Sequence, residues 1–216
     1  MNKKDEIIRK MNQDFAITIA QINPTVGDIS KNIAAIESVY DRNKSVSDLV
    51  VCTEMSVSGY PAEDLILKPL FIDRVMQAVG DLALKINGRA GLVVGAPWRD
   101  GGKVYNAALL LHEGKIIARR YKHDLPNYGV FDEVRIFSAG EAPLPVEFKG
   151  VSLGLMVCED MWFQDATASL SRNGAEILLV LNGSPFETGK NHLRLERARA
   201  RIKESGLPLV YINQVG

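Results

Sequence analysis

The sequence has 216 residues, of which 46% are apolar and 24% are charged, a composition typical of a globular protein with a sizeable core. Its 26 lysine and arginine residues balance its 26 aspartate and glutamate residues, so net charge gives no general attraction to nucleic acid or anionic membranes. The charged amino terminus lacks the apolar segment of a secretory signal, and no apolar run reaches the ~18 residues that span a bilayer. We therefore expect a cytoplasmic protein without nucleic-acid or membrane partners.

The two cysteines, Cys52 and Cys158, are far apart in the sequence and neither belongs to a C-x-x-C pair. No cluster of histidine and cysteine residues has the spacing of metal ligands, so we expect no metal site. Two lone cysteines favour a reducing compartment, and the alternative is a single disulfide between them.

Strands and helices alternate along the first half of the chain. Short β-rich runs predict strands at residues 15–22, 47–54 and 91–97. Apolar residues with helical spacing predict a helix from Ile29, and a second helical stretch covers residues 65–86, where Pro69 is expected to divide two helices. The second half continues with two strands over 106–122 joined at "HEGK", loop over 123–143, a hairpin over 145–160 turning at Lys149–Gly150, a helix over 162–174, a strand over 175–182, a helix over 189–205 and a strand over 207–214.

This alternation, with near-continuous apolar strands and a few inserted hairpins, indicates an α/β protein in which helices cover mixed sheets. No linker rich in glycine, serine or proline interrupts the chain, and no repeat or low-complexity tract is present. We therefore predict one domain.

Three predicted strands run directly into a side chain that can take part in catalysis. Glu54 follows "LVVCT", Lys122 follows "IIARRY", and Cys158 follows "LGLMV". Active residues of α/β folds gather beyond the carboxyl ends of strands, so these three are candidates for one site.

The sequence around Cys158 poses a problem, because Glu159 and Asp160 follow it and negative charge makes a thiol harder to ionise. If Lys122 lies beside Cys158, its charge would favour the thiolate, and Glu54 could accept the thiol proton. On this hypothesis the two acids after the cysteine serve another purpose. The alternative is that Cys158 is a small core residue with no chemistry.

Five segments carry a resemblance to a known family: "TEMSVSGYPAEDL", "RRYKHDLPNYGVFDEVRIF", "VCEDMWF", "LNGSPFETGK" and "YINQVG". In this order and at similar separations they resemble the glutaminase domain of glutamine-dependent NAD synthetases, within the nitrilase, or carbon–nitrogen hydrolase, superfamily. The resemblance covers the chain from about residue 15 to residue 216. It implies an α-β-β-α sandwich in which the two sheets carry a catalytic triad between them.

By this resemblance Glu54 is the general base, Lys122 stabilises the tetrahedral intermediate and Cys158 is the nucleophile. The backbone N–H of Glu159 is expected to help hold the oxyanion, and Glu133 matches a further carboxylate near the lysine. The same resemblance places glutamine against Tyr128, Ser184 and Lys190.

The implied function is a glutamine amidohydrolase that works through a cysteine thioester and supplies ammonia for NAD synthesis. We interpret residues 1–216 as this hydrolase domain, stopping short of its usual carboxyl end. The sequence has no SGGxDS-type loop, so a linked synthetase domain, with its ATP and magnesium, is expected as a partner outside this chain, and no cofactor is expected within it. L-glutamine is the expected substrate, and a homo-oligomer is expected. A free-standing amidase acting on another small amide and a catalytically incomplete fragment are the alternatives.

Two further features have simpler interpretations. The segment "RLERARARIK" is rich in arginine, but Leu195, Ala198 and Ile202 predict the buried face of an amphipathic helix rather than a nucleic-acid site. Cys52 is expected to pack in the core, and an activated Cys158 would be alkylated much faster than it near neutral pH.

Overall fold

A computed structural model describes residues 14–215 as two β-sheets packed face to face with helices outside them. The strands are β1 (Ile17–Ile19), β2 (Leu49–Val51), β3 (Gly91–Asp100), β4 (Lys103–His112), β5 (Lys115–Tyr121), β6 (Val146–Phe148), β7 (Val151–Val157), β8 (Ile177–Asn182) and β9 (Leu209–Asn213). The helices are α1 (Ile29–Asn43), α2 (Pro69–Lys85), α3 (Glu133–Ile136), α4 (Asp165–Arg172) and α5 (Lys190–Ser205).

Both sheets are mixed. The first has the order β1-β2-β3-β4-β5, in which β1, β2 and β3 are parallel and β3, β4 and β5 are antiparallel. The second has the order β6-β7-β8-β9, in which β6 and β7 are antiparallel and β7, β8 and β9 are parallel. The parallel strands leave their carboxyl ends together, which is where side chains of a site can converge.

The layer order follows from the alternation of side chains along the strands. Val51 of β2 and Leu110 of β4 point into a core shared with Leu155 of β7 and Leu179 of β8, between the two sheets. The alternate residues of the first sheet pack with α1 and α2. Those of the second sheet pack with α4 and with Ala198 of α5. The result is the α-β-β-α sandwich that the resemblance implies.

The two predicted tight turns are confirmed. Glu113 and Gly114 both have positive φ, of 48° and 76°, and so do Lys149 and Gly150, of 51° and 80°. Two consecutive left-handed residues match the right-handed twist of the flanking strands, and glycine at the second position makes this conformation inexpensive. A third hairpin, turning at Gly101–Gly102, joins β3 to β4 and was not predicted.

Two helix predictions are wrong. Pro69 does not divide two helices: it is the first residue of α2, where its missing N–H costs nothing, and a single 3₁₀ turn at Glu63–Leu65 precedes it. In α5, Leu195 and Ile202 are exposed, and Arg201 is buried instead. Its guanidinium donates to the Glu204 carboxylate at 2.7 Å, which offsets the cost of its burial.

Across residues 14–215, every helix is too short or too polar to cross a membrane.

Candidate active site

The structure places Glu54, Lys122 and Cys158 beyond the ends of β2, β5 and β7. All three are buried. Glu54 and Lys122 come from the first sheet and Cys158 from the second, so the site lies at one end of the interface between the sheets.

Glu54 sits in a turn whose backbone is packed very closely against β3. Met55 has a φ of 50°, an uncommon conformation for a side chain of this kind. A Cβ atom at Gly95 of β3 would lie 2.4 Å from the Met55 nitrogen, so this close approach requires glycine. The backbone around the carboxylate is therefore fixed by tertiary contact.

The Lys122 ammonium lies between two buried carboxylates. Its Nζ is 2.9 Å from Glu54 Oε1 and 2.8 Å from Glu133 Oε2. Asn106 Nδ2 donates to Glu54 Oε1 at 2.8 Å, and the Tyr60 hydroxyl donates to Glu133 Oε1 at 2.9 Å. We call these three charged residues, Glu54, Lys122 and Glu133, the charged cluster.

Burial and the neighbouring charges together set the pKa values of Lys122 and Glu133. Burial lowers the pKa of Lys122, but its interactions with Glu54, and then with Cys158 and Glu133, outweigh this and hold the pKa well above its usual value. Burial also raises the pKa of Glu133, more than the attraction of Lys122 lowers it. Lys122 therefore stays an ammonium ion inside the protein.

The sequence predicts that the charge of Lys122 favours the thiolate of Cys158, and Lys122 does lower the pKa of that thiol. Burial raises the pKa of Cys158 well above its usual value, and the charge of Glu54 raises it further; Lys122 lowers it but is outweighed. Burial is the main cause, and the charge of Lys122 is in addition balanced by two carboxylates. Cys158 is thus a protonated thiol whose pKa depends on the charges of the cluster. If its sulfur attacks a substrate, another group must accept the thiol proton.

Cys158 also has an unusual backbone conformation. It follows the last residue of β7 directly and has a φ of 45°. A left-handed conformation at a residue with a side chain costs roughly 1–3 kcal/mol and persists only where the surrounding structure imposes it. It occurs here where β7 gives way to a 3₁₀ turn over Cys158–Met161.

The loop after β8 completes the surroundings of Glu54. The Gly183 N–H donates to Glu54 Oε2 at 2.8 Å. The Ser184 N–H donates to Asn213 Oδ1 at 2.9 Å, and its hydroxyl accepts from Arg194 at 2.9 Å. Ser184 is therefore held beside the charged cluster by contacts from β9 and α5.

The remaining predicted substrate residues border the same end of the molecule. The Tyr128 hydroxyl donates to Glu159 Oε1 at 2.9 Å, and its ring packs edge-on against Phe131 with centroids 5.7 Å apart. Lys190 Nζ lies 5.5 Å from the centroid of Phe131 and 3.1 Å from Glu187 Oε2. Tyr128 and Lys190 thus contact the same aromatic ring from two different segments.

Comparison with known proteins identifies the family of this chain. The family model described as carbon-nitrogen hydrolase matches residues 16–216. The chain belongs to the carbon–nitrogen hydrolase family.

The glutamine-dependent NAD(+) synthetase of Rhodobacter capsulatus is 42% identical over 207 residues, which cover 95% of this chain and 38% of that protein. The solved structure of glutamine-dependent NAD+ synthetase from Acinetobacter baumannii has a TM-score of 0.87 at 37% identity, covering 94% of this chain and 38% of the other. An amidase from Nesterenkonia sp. has a TM-score of 0.79 at 24% identity, covering 94% and 76% of the two chains, and shows the shared nitrilase-type fold. This hydrolase chain spans a little over a third of the length of these synthetases.

The sequence did not point to three residues of the site in this hydrolase: Asn106 and Tyr60, which contact the charged cluster, and Arg194, which contacts Ser184. Asn106 is a buried polar residue that opens the apolar run "NAALLLH", and that isolation in a strand is a usable signal. Tyr60 lies in the quoted "SGYP" segment, but nothing local shows that its hydroxyl reaches Glu133. Arg194 had no signal, since its contact with Ser184 depends on how α5 packs.

Within residues 14–215, no group of three or more histidine, cysteine, aspartate or glutamate side chains is arranged to hold a metal ion. The described part of this hydrolase offers acid–base and nucleophilic groups for chemistry.

Proposed function

We propose that this chain hydrolyses the side-chain amide of L-glutamine to glutamate and ammonia. The observation that carries the proposal is the buried charged cluster beside Cys158, at the ends of strands from both sheets, in a carbon–nitrogen hydrolase. The relatives named glutamine-dependent NAD synthetases support glutamine as the substrate.

In the first half-reaction the sulfur of Cys158 attacks the amide carbon of glutamine, and the thiol proton passes to Glu54. The amide oxygen becomes an oxyanion, which Lys122 and the backbone N–H of Glu159 stabilise. The carbon–nitrogen bond then breaks, Glu54 gives its proton to the leaving nitrogen, and ammonia departs. A thioester between Cys158 and the glutamyl group remains.

In the second half-reaction Glu54 takes a proton from water, and the resulting hydroxide attacks the thioester carbon. The carbon–sulfur bond breaks, the proton on Glu54 returns to the sulfur, and glutamate leaves. Glu54 thus moves a proton in each direction in both halves. The hydrogen bonds from Asn106 and Gly183 hold its carboxylate in one place throughout.

The protonated resting thiol fits this scheme. A permanent thiolate next to two buried carboxylates would add a third negative charge against one ammonium ion, which a site of low polarity opposes. Transfer of the thiol proton to Glu54 keeps the total charge of the site unchanged, since a carboxylate is neutralised as the sulfur attacks. Lys122 then faces the developing oxyanion with less competition.

The roles of the substrate residues follow from their chemistry. Lys190 would pair with the α-carboxylate of glutamine, while Tyr128 and Ser184 would orient the remaining polar end. A site that hydrogen-bonds polar groups strongly rejects analogues that lack them.

We further propose that residues 1–216 act as the glutaminase domain of a longer enzyme, in the manner of the relatives. The ammonia would be used by a synthetase domain that takes ATP and magnesium and forms NAD from its nicotinate precursor. The length of the synthetases, of which this chain matches 38%, supports that arrangement.

A free-standing amidase is the second candidate, because the Nesterenkonia amidase shares the fold and this chain covers 76% of it. A panel of small amides with and without an α-amino acid group separates the two: a glutaminase should prefer glutamine, and an amidase should not.

The deciding experiment measures glutamate and ammonia released from glutamine by the wild-type chain and by Cys158→Ala. We expect the variant to lose all measurable turnover while keeping its fold, because no other described thiol borders the charged cluster. Cys52→Ala is the matched control: Cys52 is fully buried in the outer core of the first sheet, and burial raises its pKa to about 12, so turnover should survive. Turnover that persists in Cys158→Ala would refute the mechanism, and a folded wild-type chain without turnover would favour an incomplete fragment.

A further inference from the structure

One carboxylate joins the two strand ends that carry Lys122 and Cys158. Asp160 is buried, and its Oδ1 accepts the backbone N–H groups of His123 and Asp124, each at 2.9 Å. Its Oδ2 accepts the N–H of Val157 at 2.9 Å. These donors are the residues directly after Lys122 and directly before Cys158.

The two strand ends belong to different sheets. Lys122 follows β5 of the first sheet and Cys158 follows β7 of the second, so no ladder of backbone hydrogen bonds sets the distance between them. Packed apolar side chains hold the sheets together but allow small sliding movements. The Asp160 carboxylate adds directional bonds to both ends at the position of the site.

The same carboxylate also supports the backbone conformation of Cys158. The bond from Val157 N–H to Asp160 Oδ2 closes a loop around the cysteine, whose φ is 45°. Without this hydrogen bond, fewer contacts would impose the left-handed conformation of Cys158, and its sulfur could move away from the charged cluster.

We propose that Asp160 is a positioning residue for the proposed hydrolysis, and that its bridge sets the placement of Cys158 relative to Lys122. The inference rests on the proposed function for its effect on turnover, while its effect on the thiol is independent of substrate. It also assigns a purpose to one of the two acids that follow Cys158 in the sequence.

The bridge needs the ionised form of Asp160, because only a carboxylate can accept on both oxygens without presenting a proton to a donor. Burial raises the pKa of Asp160 to about 7, even though the three N–H bonds and the charge of Lys122 lower it. The Lys122 ammonium and the backbones of His123 and Asp124 face it on one side, and the backbone of Val157 faces it on the other.

The test is Asp160→Asn, which keeps the size of the side chain but turns one acceptor into a donor. The asparagine must point its NH₂ group either at Val157 N–H or at the two N–H groups after Lys122, so one end of the bridge breaks. We expect kcat for glutamine to fall by ~10-fold or more with KM within ~3-fold, since small displacements of reacting groups cost about this much. Alkylation of Cys158 by iodoacetamide should slow severalfold, because the thiol loses some of the influence of Lys122.

Asp165→Asn is the matched control, since Asp165 is an exposed residue at the start of α4, and both readouts should stay at wild-type values. A folded Asp160→Asn variant with unchanged kcat and alkylation would overturn the inference. If only alkylation changes and the wild type has no turnover, the proposed function fails and the bridge stands.

If Asp160→Asn does not fold, the wild-type protein still tests the inference. As pH falls through 7, protonation of Asp160 should release the amides of Val157, His123 and Asp124 to hydrogen exchange, and turnover should fall with the same midpoint. Turnover that stays constant while these amides lose protection, or that falls while they stay protected, would overturn it.

Discussion

Lys122 shows how a cation can be kept charged in the interior of a protein. Its side chain is fully buried, a position in which an unpaired ammonium would lose its proton, and two carboxylates within 3 Å prevent this. The pairing has a cost, because burial together with the same carboxylates keeps the neighbouring thiol of Cys158 protonated. In the proposed mechanism, the base Glu54 and the cation Lys122 are therefore arranged at the scale of the residue for the transition state rather than for a reactive resting enzyme.

Lys190 is the residue for which a substrate role can be separated from a structural one. It is the first residue of α5, where a cation opposes the helix dipole, and the carboxylate that pairs with it is that of the exposed Glu187. We expect Lys190→Ala to raise KM for glutamine by ~10-fold or more, the value of a hydrogen bond to a charged group, with little change in kcat. Steady-state kinetics with glutamine and with a simple amide lacking the α-carboxylate measure the effect.

Lys203→Ala provides the comparison, because Lys203 is an exposed lysine in the last turn of the same helix. Its KM should equal that of the wild type. If Lys190→Ala raises KM by the same factor for both amides, Lys190 does not bind the α-carboxylate.

At the scale of the element, the loops after the strands need close backbone contact to place the carboxylate of Glu54. The Gly183 N–H reaches Glu54 Oε2, and a Cβ atom at Gly183 would lie 3.3 Å from that oxygen and 3.2 Å from Tyr60 Cδ1. Gly183→Ala should therefore push the loop or the carboxylate away by a few tenths of an ångström. We expect kcat to fall by about 10-fold, because misplacement of this order in a catalytic group is costly.

Gly80→Ala adds the same methyl group where it meets nothing, since Gly80 lies within α2 and has no neighbour within 4 Å of its Cβ position. It should leave turnover unchanged and stabilise the protein by up to ~1 kcal/mol through helix propensity. Thermal unfolding and steady-state kinetics are measured for both variants. A wild-type kcat in Gly183→Ala would show that the position of the Glu54 carboxylate does not depend on the close approach of Gly183.

The strand ends could be predicted from the sequence because apolar runs and glycine turns are local signals. The same signals extended some strands too far: residues 47–54 were predicted as a strand, whereas β2 ends at Val51 and Glu54 stands in a turn. The burial of Arg201 and the exposure of Leu195 could not be predicted, since they depend on the face that α5 turns to the sheet. Contacts such as that of Asn106 with Glu54 join segments 52 residues apart, and spacing along the chain carries no information about them.

At the scale of the whole molecule, the site depends on two sheets that share one core. The apolar cluster between the sheets includes Leu110 of β4 and Leu155 of β7, and it extends to Cys158 at its end. Cys158, the proposed nucleophile, is therefore an outer member of the same packing that fixes how the sheets face each other. A substitution deep in this core should displace Cys158, because closely packed side chains transmit strain through the protein interior.

Leu155→Ala tests this dependence of the fold on the shared core. Leu155 is fully buried three residues before Cys158, and its truncation removes apolar contacts and leaves a cavity that the two sheets can only partly close. We expect the free energy of unfolding to fall by about 2–5 kcal/mol, seen as a lower urea midpoint with an unchanged slope. Leu84→Ala makes the same substitution at a leucine of α2 that is 69% exposed, and it should change the free energy of unfolding by less than ~0.5 kcal/mol. Equal effects of the two substitutions would mean that the inter-sheet core does not hold the sandwich together, because only Leu155 contributes to it.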